Sequence, residues 1–253
     1  MDAVIAYLTL RLKHTFTSNP PSSALILWWP SNSPNQQKAF VTRQIGEVPQ
    51  ALESQILKTL GAPLVLYSYD SDLDLLQFKL KGKTLKGSWN DHTLEHEVAM
   101  ELGIPYQTGG TKKPPNNPQQ VRDLFHIWSR KAFAGIRKTD IDLLLLNDKE
   151  KMRALVEVKR SAKVPVGVWT PYPSDPYDGL ASFAQTWGVT LITVHHEIVS
   201  DENDGKFSAD TLVDVFSYHP GSSFDFIQFA SKGNRQLTSL DELVAKLESM
   251  LEQ

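Results

Sequence analysis

The chain has 253 residues, 26 Lys and Arg against 29 Asp and Glu, a formal net charge of −3 and no cysteine. That length supports one large or two small domains whose core needs no covalent staple, and the missing cysteine excludes disulfides and thiolate zinc sites. No basic segment followed by an apolar one opens the chain and no apolar run approaches membrane-spanning length, so a soluble, cytoplasmic protein without a membrane partner is expected.

In chain order, Ala3 to Leu12, Ala24 to Trp29, Lys38 to Ile45 and Pro63 to Tyr69 read as strands, and Val48 to Leu60 as a helix stopped by Gly61. Leu75 to Trp89 alternates around Lys81-Gly82-Lys83, which signals a hairpin. This stretch carries no catalytic spacing, and recognition of DNA, binding of a partner or formation of a homodimer all suit it. The next segment, Asp91 to Gly103, reads as a helix with Asp91 or Thr93 as N-cap and Gly103 as stop. At about 100° per residue, Leu94, Val98, Ala99 and Leu102 form one stripe, and Glu95 falls inside it. A carboxylate on a buried face asks for a partner; the alternative is an acid favoured near a helix N-terminus. Ser31 to Gln37 and Gly109 to Gln119 are loops, the second a candidate lid or DNA-contacting loop.

Thr139 to Leu146 and Ala154 to Arg160 are short, β-prone and apolar, and Asn147-Asp148-Lys149-Glu150 between them is turn chemistry. A β-hairpin follows, with Asp142 opening the buried run of one strand and Glu157 and Lys159 on the other. Alternation puts Glu157 and Lys159 on one face. Two carboxylates so close repel unless a divalent cation sits between them. Asp140 faces the same side as Asp142, which is preferred because it directly begins the buried run. The rival reading is a solvent-facing ion pair on an edge strand, with Asp142 merely starting its own.

Asp142 followed by Glu157-Val158-Lys159 resembles the signature of the PD-(D/E)xK nuclease superfamily, with Ile141 where the literal motif has proline. The resemblance covers about Asp91 to Glu197. It implies an α/β chain with a restriction-endonuclease-like core: a central mixed sheet flanked by helices, in the order helix, three-stranded meander, helix, strand. On that basis residues 1–88 form an accessory α/β domain and 89–253 the nuclease domain, its core at about 91–197. The implied activity is Mg²⁺-dependent hydrolysis of phosphodiester bonds in DNA, with Mn²⁺ able to substitute. Asp142, Glu157 and the Val158 carbonyl would hold the metal, Lys159 would orient the attacking water, and Glu95 would supply a third acid. Gln185 matches a supporting position of the family only loosely. No residue detects a 2′-hydroxyl, so DNA rather than RNA rests on the resemblance. The reading from another class is a non-catalytic nucleic-acid-binding or assembly protein on a degenerate nuclease fold.

The charge distribution suits a phosphate backbone. Residues 111–163 hold 13 Lys and Arg against 6 Asp and Glu, a local net of +7, whereas 164–253 hold 4 against 13, a net of −9. Lys112, Lys113, Arg122, Arg130, Lys131, Arg137, Lys138, Arg160 and Lys163 are the candidate DNA contacts around the hairpin. Val164 to Asp178 is rich in proline, with Trp169, Tyr172 and Tyr177. Its aromatics either stack on bases or pack the loop onto its own body. Asp178 to Trp187 reads as a helix ended by Gly188, Val189 to Val194 as a buried strand, and Thr211 to Tyr218 and Ser223 to Ala230 as two more strands. Ser239 to Leu251 is a helix with a capping box to Glu242. His92 with His96, or His195 with His196, offers a rival zinc site, weakened because adjacent strand residues point to opposite faces.

Overall fold

The computed structural model describes residues 2–18, 22–31, 33, 35–106, 124–133, 135–173, 176–197, 207–221 and 223–252. The protein is α/β and divides into two compact units, Met1–Thr17 with Ile141–Gln253, and Ser18–Asp140. The expected boundary near residue 88 is not where the units part. Strand β2 (Ala24–Pro30) pairs antiparallel with β7 (Ile136–Asp140). The chain between them, including α3 (His92–Leu102) and α4 (Leu124–Ala132), therefore returns to the N-terminal sheet. The expected strand Thr139 to Leu146 is divided accordingly: Thr139 and Asp140 end β7, and β8 (Leu143–Leu146) belongs to the other unit.

In the Ser18–Asp140 unit the strand order is β6 (Lys83–Gly87), β5 (Leu75–Leu80), β4 (Leu64–Asp70), β3 (Lys38–Gln44), β2, β7. β3 and β4 are parallel, with α2 (Glu53–Leu60) between them in sequence, and the other pairs are antiparallel. The β5–β6 turn places Lys81 at φ 49° and Gly82 at φ 79°. Positive φ at both central residues matches the twist of the flanking strands, and glycine adopts it without steric cost. The α3 stripe of Leu94, Val98, Ala99 and Leu102 is buried with Trp28, Phe40, Phe78 and Trp128. Asp91 caps α3 by accepting from Thr93 N and Leu94 N, and Gly103 ends it in the left-handed conformation.

The other unit carries a sheet ordered β1 (Thr15–Thr17), β8, β9 (Met152–Ser161), β10 (Thr190–Glu197), β11 (Leu212–Tyr218), β12 (Gln236–Ser239). β1, β8 and β9 are antiparallel neighbours, whereas β9 and β10 are parallel, with α5 (Tyr177–Trp187) between them in sequence. Within this unit the chain thus runs α1 (Ala3–Arg11), a three-strand meander, α5, then β10. Residues 18–140 separate its first and second strands in sequence. One sheet face is apolar: Leu143, Leu145, Ala154, Val156, Ile192, Val194, Val213 and Val215 pack with Val4, Leu8 and Leu12 and with Leu240, Leu243, Val244 and Leu247 of α7 (Leu240–Leu251).

Two expected strands are helices. Over Ala3 to Leu12, the Asp2 carboxylate accepts from Val4 N at 2.9 Å, and Val4 and Leu8, four apart, meet the sheet. Capping and burial of that stripe override the β-prone composition. In Ser223 to Ala230, Asp225 accepts from Ile227 N and Gln228 N and starts the short helix α6 (Phe226–Phe229). No helix among the described residues is long and apolar enough to cross a membrane.

Asp2 also meets His196 Nε2 at 3.0 Å, which ties α1 to β10. Burial pushes the Asp2 carboxyl up, but the His196 hydrogen bond and charge, helped by the Val4 and Ile5 amides, outweigh it and hold the carboxyl below its ordinary value of 3.8. A depressed carboxylate contributes stability that is fully present above the ordinary value and is lost as pH falls through the folded one. Asp2→Ala should therefore cost about 1–2 kcal/mol at neutral pH, as loss of a cap and of a hydrogen bond to a charged group does. In urea unfolding from pH 7 to pH 2.5, the gap between wild type and variant should narrow below about pH 4. A gap unchanged at pH 2.5 would show that the charge of Asp2 contributes nothing.

Candidate active site

Because side chains alternate along a strand, the second face of the β1–β12 sheet carries the residues between the apolar ones. These are polar toward one end. Glu157 pairs in register with Thr193, and Thr193 with Phe216. Two residues on, Lys159 pairs with His195, and His195 with Asp214. Asp142 precedes Leu143, the partner of Val156, and so stands opposite Glu157. One face of four adjacent strands therefore presents Asp142, Glu157, Lys159, Thr193, His195 and Asp214. All six lie within one unit.

Asp142 Oδ2 accepts from Val158 N at 2.7 Å, so the carboxylate is fixed by the backbone of the neighbouring strand as β8 begins. Glu157 is buried, and its Oε1 lies 2.9 Å from Lys159 Nζ. The side chains of Glu157 and Lys159 are 7% and 26% exposed, which places the pair at the boundary between core and solvent. The side chains gathered here are two carboxylates with an adjoining ammonium. Carboxylate oxygens of this kind suit a hard divalent cation such as Mg²⁺.

The neighbouring row is built differently. Asp214 is fully buried, and its two oxygens accept from Gly167 N at 2.9 and 3.0 Å. Its Oδ2 lies 3.2 Å from His195 Nδ1, and Arg235 Nε stands 3.9 Å from Oδ1. Trp169 lies flat on the His195 ring, with centroids 4.6 Å apart and an interplanar angle of 6°. Burial pushes the His195 imidazole below its ordinary range, against the upward pull of the Asp214 hydrogen bond and charge. Trp169 is buried, so this residue packs the proline-rich loop onto its own unit.

The other expected site residues are distributed unevenly. Glu95 is buried as its helix phase indicates, but it lies in the Ser18–Asp140 unit, where its Oε2 meets His92 Nδ1 at 3.0 Å and the Tyr106 hydroxyl at 3.1 Å. The helix that opens the Asp142 unit is α1, which has no acidic residue in its first turn. Asp140 ends β7 beside Ile26 and belongs to the other unit, which leaves Asp142 as the acid facing Glu157. Lys138 is engaged: its Nζ donates to His126 O at 2.7 Å and to Ser129 Oγ, and stands over Trp28. Arg137, Arg160 and Lys163 are exposed. Lys112, Lys113, Arg122 and Gly109 to Gln119 lie outside the described residues, as do the side chains of Arg130 and Lys131 in α4.

The histidine pairs take separate partners. His195 faces Asp214 and His196 faces Asp2, while His92 meets Glu95 and the His96 ring lies against Tyr106. Among the described residues no group of three or more His, Asp or Glu is disposed to hold a metal, at the histidine pairs or at Asp142 and Glu157. Thr193 and Asp214 are residues that motif reasoning passes over, and it pairs His195 with His196 rather than with Asp214. Their signal is the one Asp142 and Glu157 gave, a polar side chain in an otherwise apolar strand. No family model, curated protein or solved structure matches this chain.

Proposed function

We propose that the protein is a Mg²⁺-dependent endonuclease that hydrolyses phosphodiester bonds in DNA, on a restriction-endonuclease-like core formed by α1, β1, β8, β9, α5 and β10. The observation that carries this reading is the placement of Asp142 opposite Glu157, with Lys159 ion-paired to Glu157 on the same sheet face. The succession of helix, meander, helix and strand in one unit supports it as the order that the sequence resemblance implies. Asp142, Glu157 and the Val158 carbonyl would hold Mg²⁺, with Mn²⁺ able to substitute. The bound cation would acidify the attacking water and stabilise negative charge developing on the phosphoryl group. Lys159 would orient the attacking water, and its ammonium balances the buried Glu157 carboxylate. The Val158 amide fixes the Asp142 carboxylate at the start of β8, which would pre-organise the site before substrate arrives.

Incubation of supercoiled plasmid with the full chain tests the reading. Nicked and linear products should form with Mg²⁺ or Mn²⁺ and vanish with EDTA. Retardation of DNA without cleavage under any divalent cation would instead select a binding protein. Glu95→Gln should cleave as wild type while altering stability, because its carboxylate partners lie in the other unit. Exposed Arg160 and Lys163 flank Lys159 on the strand and loop that leave the site. Charge reversal at both should weaken DNA binding and lower the slope of log affinity against log salt by about 2–4. The single-turnover rate at saturating DNA should hardly change.

A further inference from the structure

Next to the Glu157–Lys159 pair, two buried polar atoms of β10 have no hydrogen-bond partner among the described residues: His195 Nε2 and Thr193 Oγ1. Both residues are fully buried, and they are two apart on one strand, on the face that carries Glu157 and Lys159. Buried polar atoms are rarely left unsatisfied in a native protein, and ordered water is the usual partner. The dyad also has a defined protonation pattern. The Asp214 carboxylate, which already accepts from Gly167 N, faces His195 Nδ1 as an acceptor, so the imidazole proton belongs on Nδ1 and Nε2 is left as an acceptor. Stacking on Trp169 fixes the plane in which that acceptor points.

We propose that His195, held by Asp214, is a positioning residue of the candidate nuclease site: with Thr193 it binds a buried water that hydrogen-bonds to Glu157 and fixes the Glu157–Lys159 pair. This inference rests on the nuclease reading. The hydrogen bonds balance. The water donates one proton to His195 Nε2 and the other to the Glu157 carboxylate, and it accepts the Thr193 hydroxyl proton. Glu157 is the registered neighbour of Thr193, and Lys159 that of His195, so the four side chains bound one polar cell across β9 and β10. The carboxylate is then aimed from two sides, by the ammonium and by the water. A hydrogen bond to a ligand residue is the means by which outer groups orient a metal site.

The test has one arm that does not depend on cleavage. In the ¹⁵N spectrum of the full-length protein's imidazoles, His195 should be neutral with its proton on Nδ1 and its Nε2 hydrogen-bonded. Thr193→Val and Glu157→Gln should each move the Nε2 resonance and leave Nδ1 in place. In single-turnover cleavage, His195→Phe, which keeps a ring for Trp169, should lower the maximal rate about ten-fold or more without changing the concentration of DNA at half-saturation. Thr193→Val should act in the same direction, and His195→Gln, which keeps a polar atom near the Nε2 position, should restore most of the rate. Melting temperature establishes that each variant is folded, and the near-isosteric Thr193→Val decides should His195→Phe fail to fold. An Nε2 resonance indifferent to both substitutions, or wild-type rates in folded His195→Phe and Thr193→Val, overturns the proposal. A wild-type protein that cleaves nothing with Mg²⁺ overturns the nuclease reading and with it the catalytic role assigned to His195, while the spectrum still decides the bridging water.

Discussion

Lys159→Ala is expected to cut single-turnover cleavage by two orders of magnitude or more while leaving DNA affinity nearly intact. The ammonium stands at Glu157 Oε1, 2.9 Å away, where it would position the attacking water. A positioned charge that matters mainly in the transition state contributes about 3 kcal/mol, which is the expected loss. The same lysine is one cation among many and adds little to counterion release on binding. The variant also leaves a 7% exposed Glu157 without its ammonium. Some loss of stability should accompany the loss of rate, so cleavage must be measured well below the melting temperature. Wild-type cleavage by a folded Lys159→Ala at saturating DNA would reduce the Glu157–Lys159 pair to a structural ion pair.

What was legible beforehand followed local chemistry. The β5–β6 hairpin was readable because Lys81-Gly82 demands a specific turn. Helix α3 was readable from its Asp91 cap, its Gly103 stop and its apolar stripe, and α7 from its capping box between Ser239 and Glu242. Segments whose state depends on distant partners were not. Ala3 to Leu12 has the composition of a strand and becomes a helix because Val4 and Leu8 are buried against a sheet whose other members begin at residue 143. Nor does local sequence mark the return of β7 to β2, since hydrophobic pattern does not specify which strands pair.

The same limit governed the site. Asp142, Glu157 and Lys159 could be picked out because hairpin register relates neighbouring strands. The helix phase places Glu95 on the buried face, but burial does not name its partners, which include His92 and Tyr106. His195 and Asp214 were harder, because their relation needs the pairing of β10 with β11 across a chain separation of 19 residues. The basic run was visible as a sum of charges, yet it divides between the two units, and Lys138 within it binds α4 carbonyl and hydroxyl groups.

The second large effect concerns the carboxylates, and the choice of substitution decides what is learned. Asp142→Ala would remove both the charge and the hydrogen bond that fixes Val158, confusing metal loss with strand disorder. Asp142→Asn keeps an oxygen able to accept from Val158 N and removes only the charge. It should weaken Mg²⁺ binding by about 100-fold or more, beyond what loss of an outer-shell partner produces. Glu157→Gln should do the same, and the melting temperature of both should cease to rise with added Mg²⁺, because only a ligand that binds the folded state stabilises it. Asp140→Asn serves as the control, since that residue pairs beside Ile26 in the other unit and should retain wild-type affinity. Wild-type Mg²⁺ affinity in Asp142→Asn together with its loss in Asp140→Asn would move the metal away from Glu157. The polar face of the β8–β11 strands would then be a structural polar network rather than a catalytic centre.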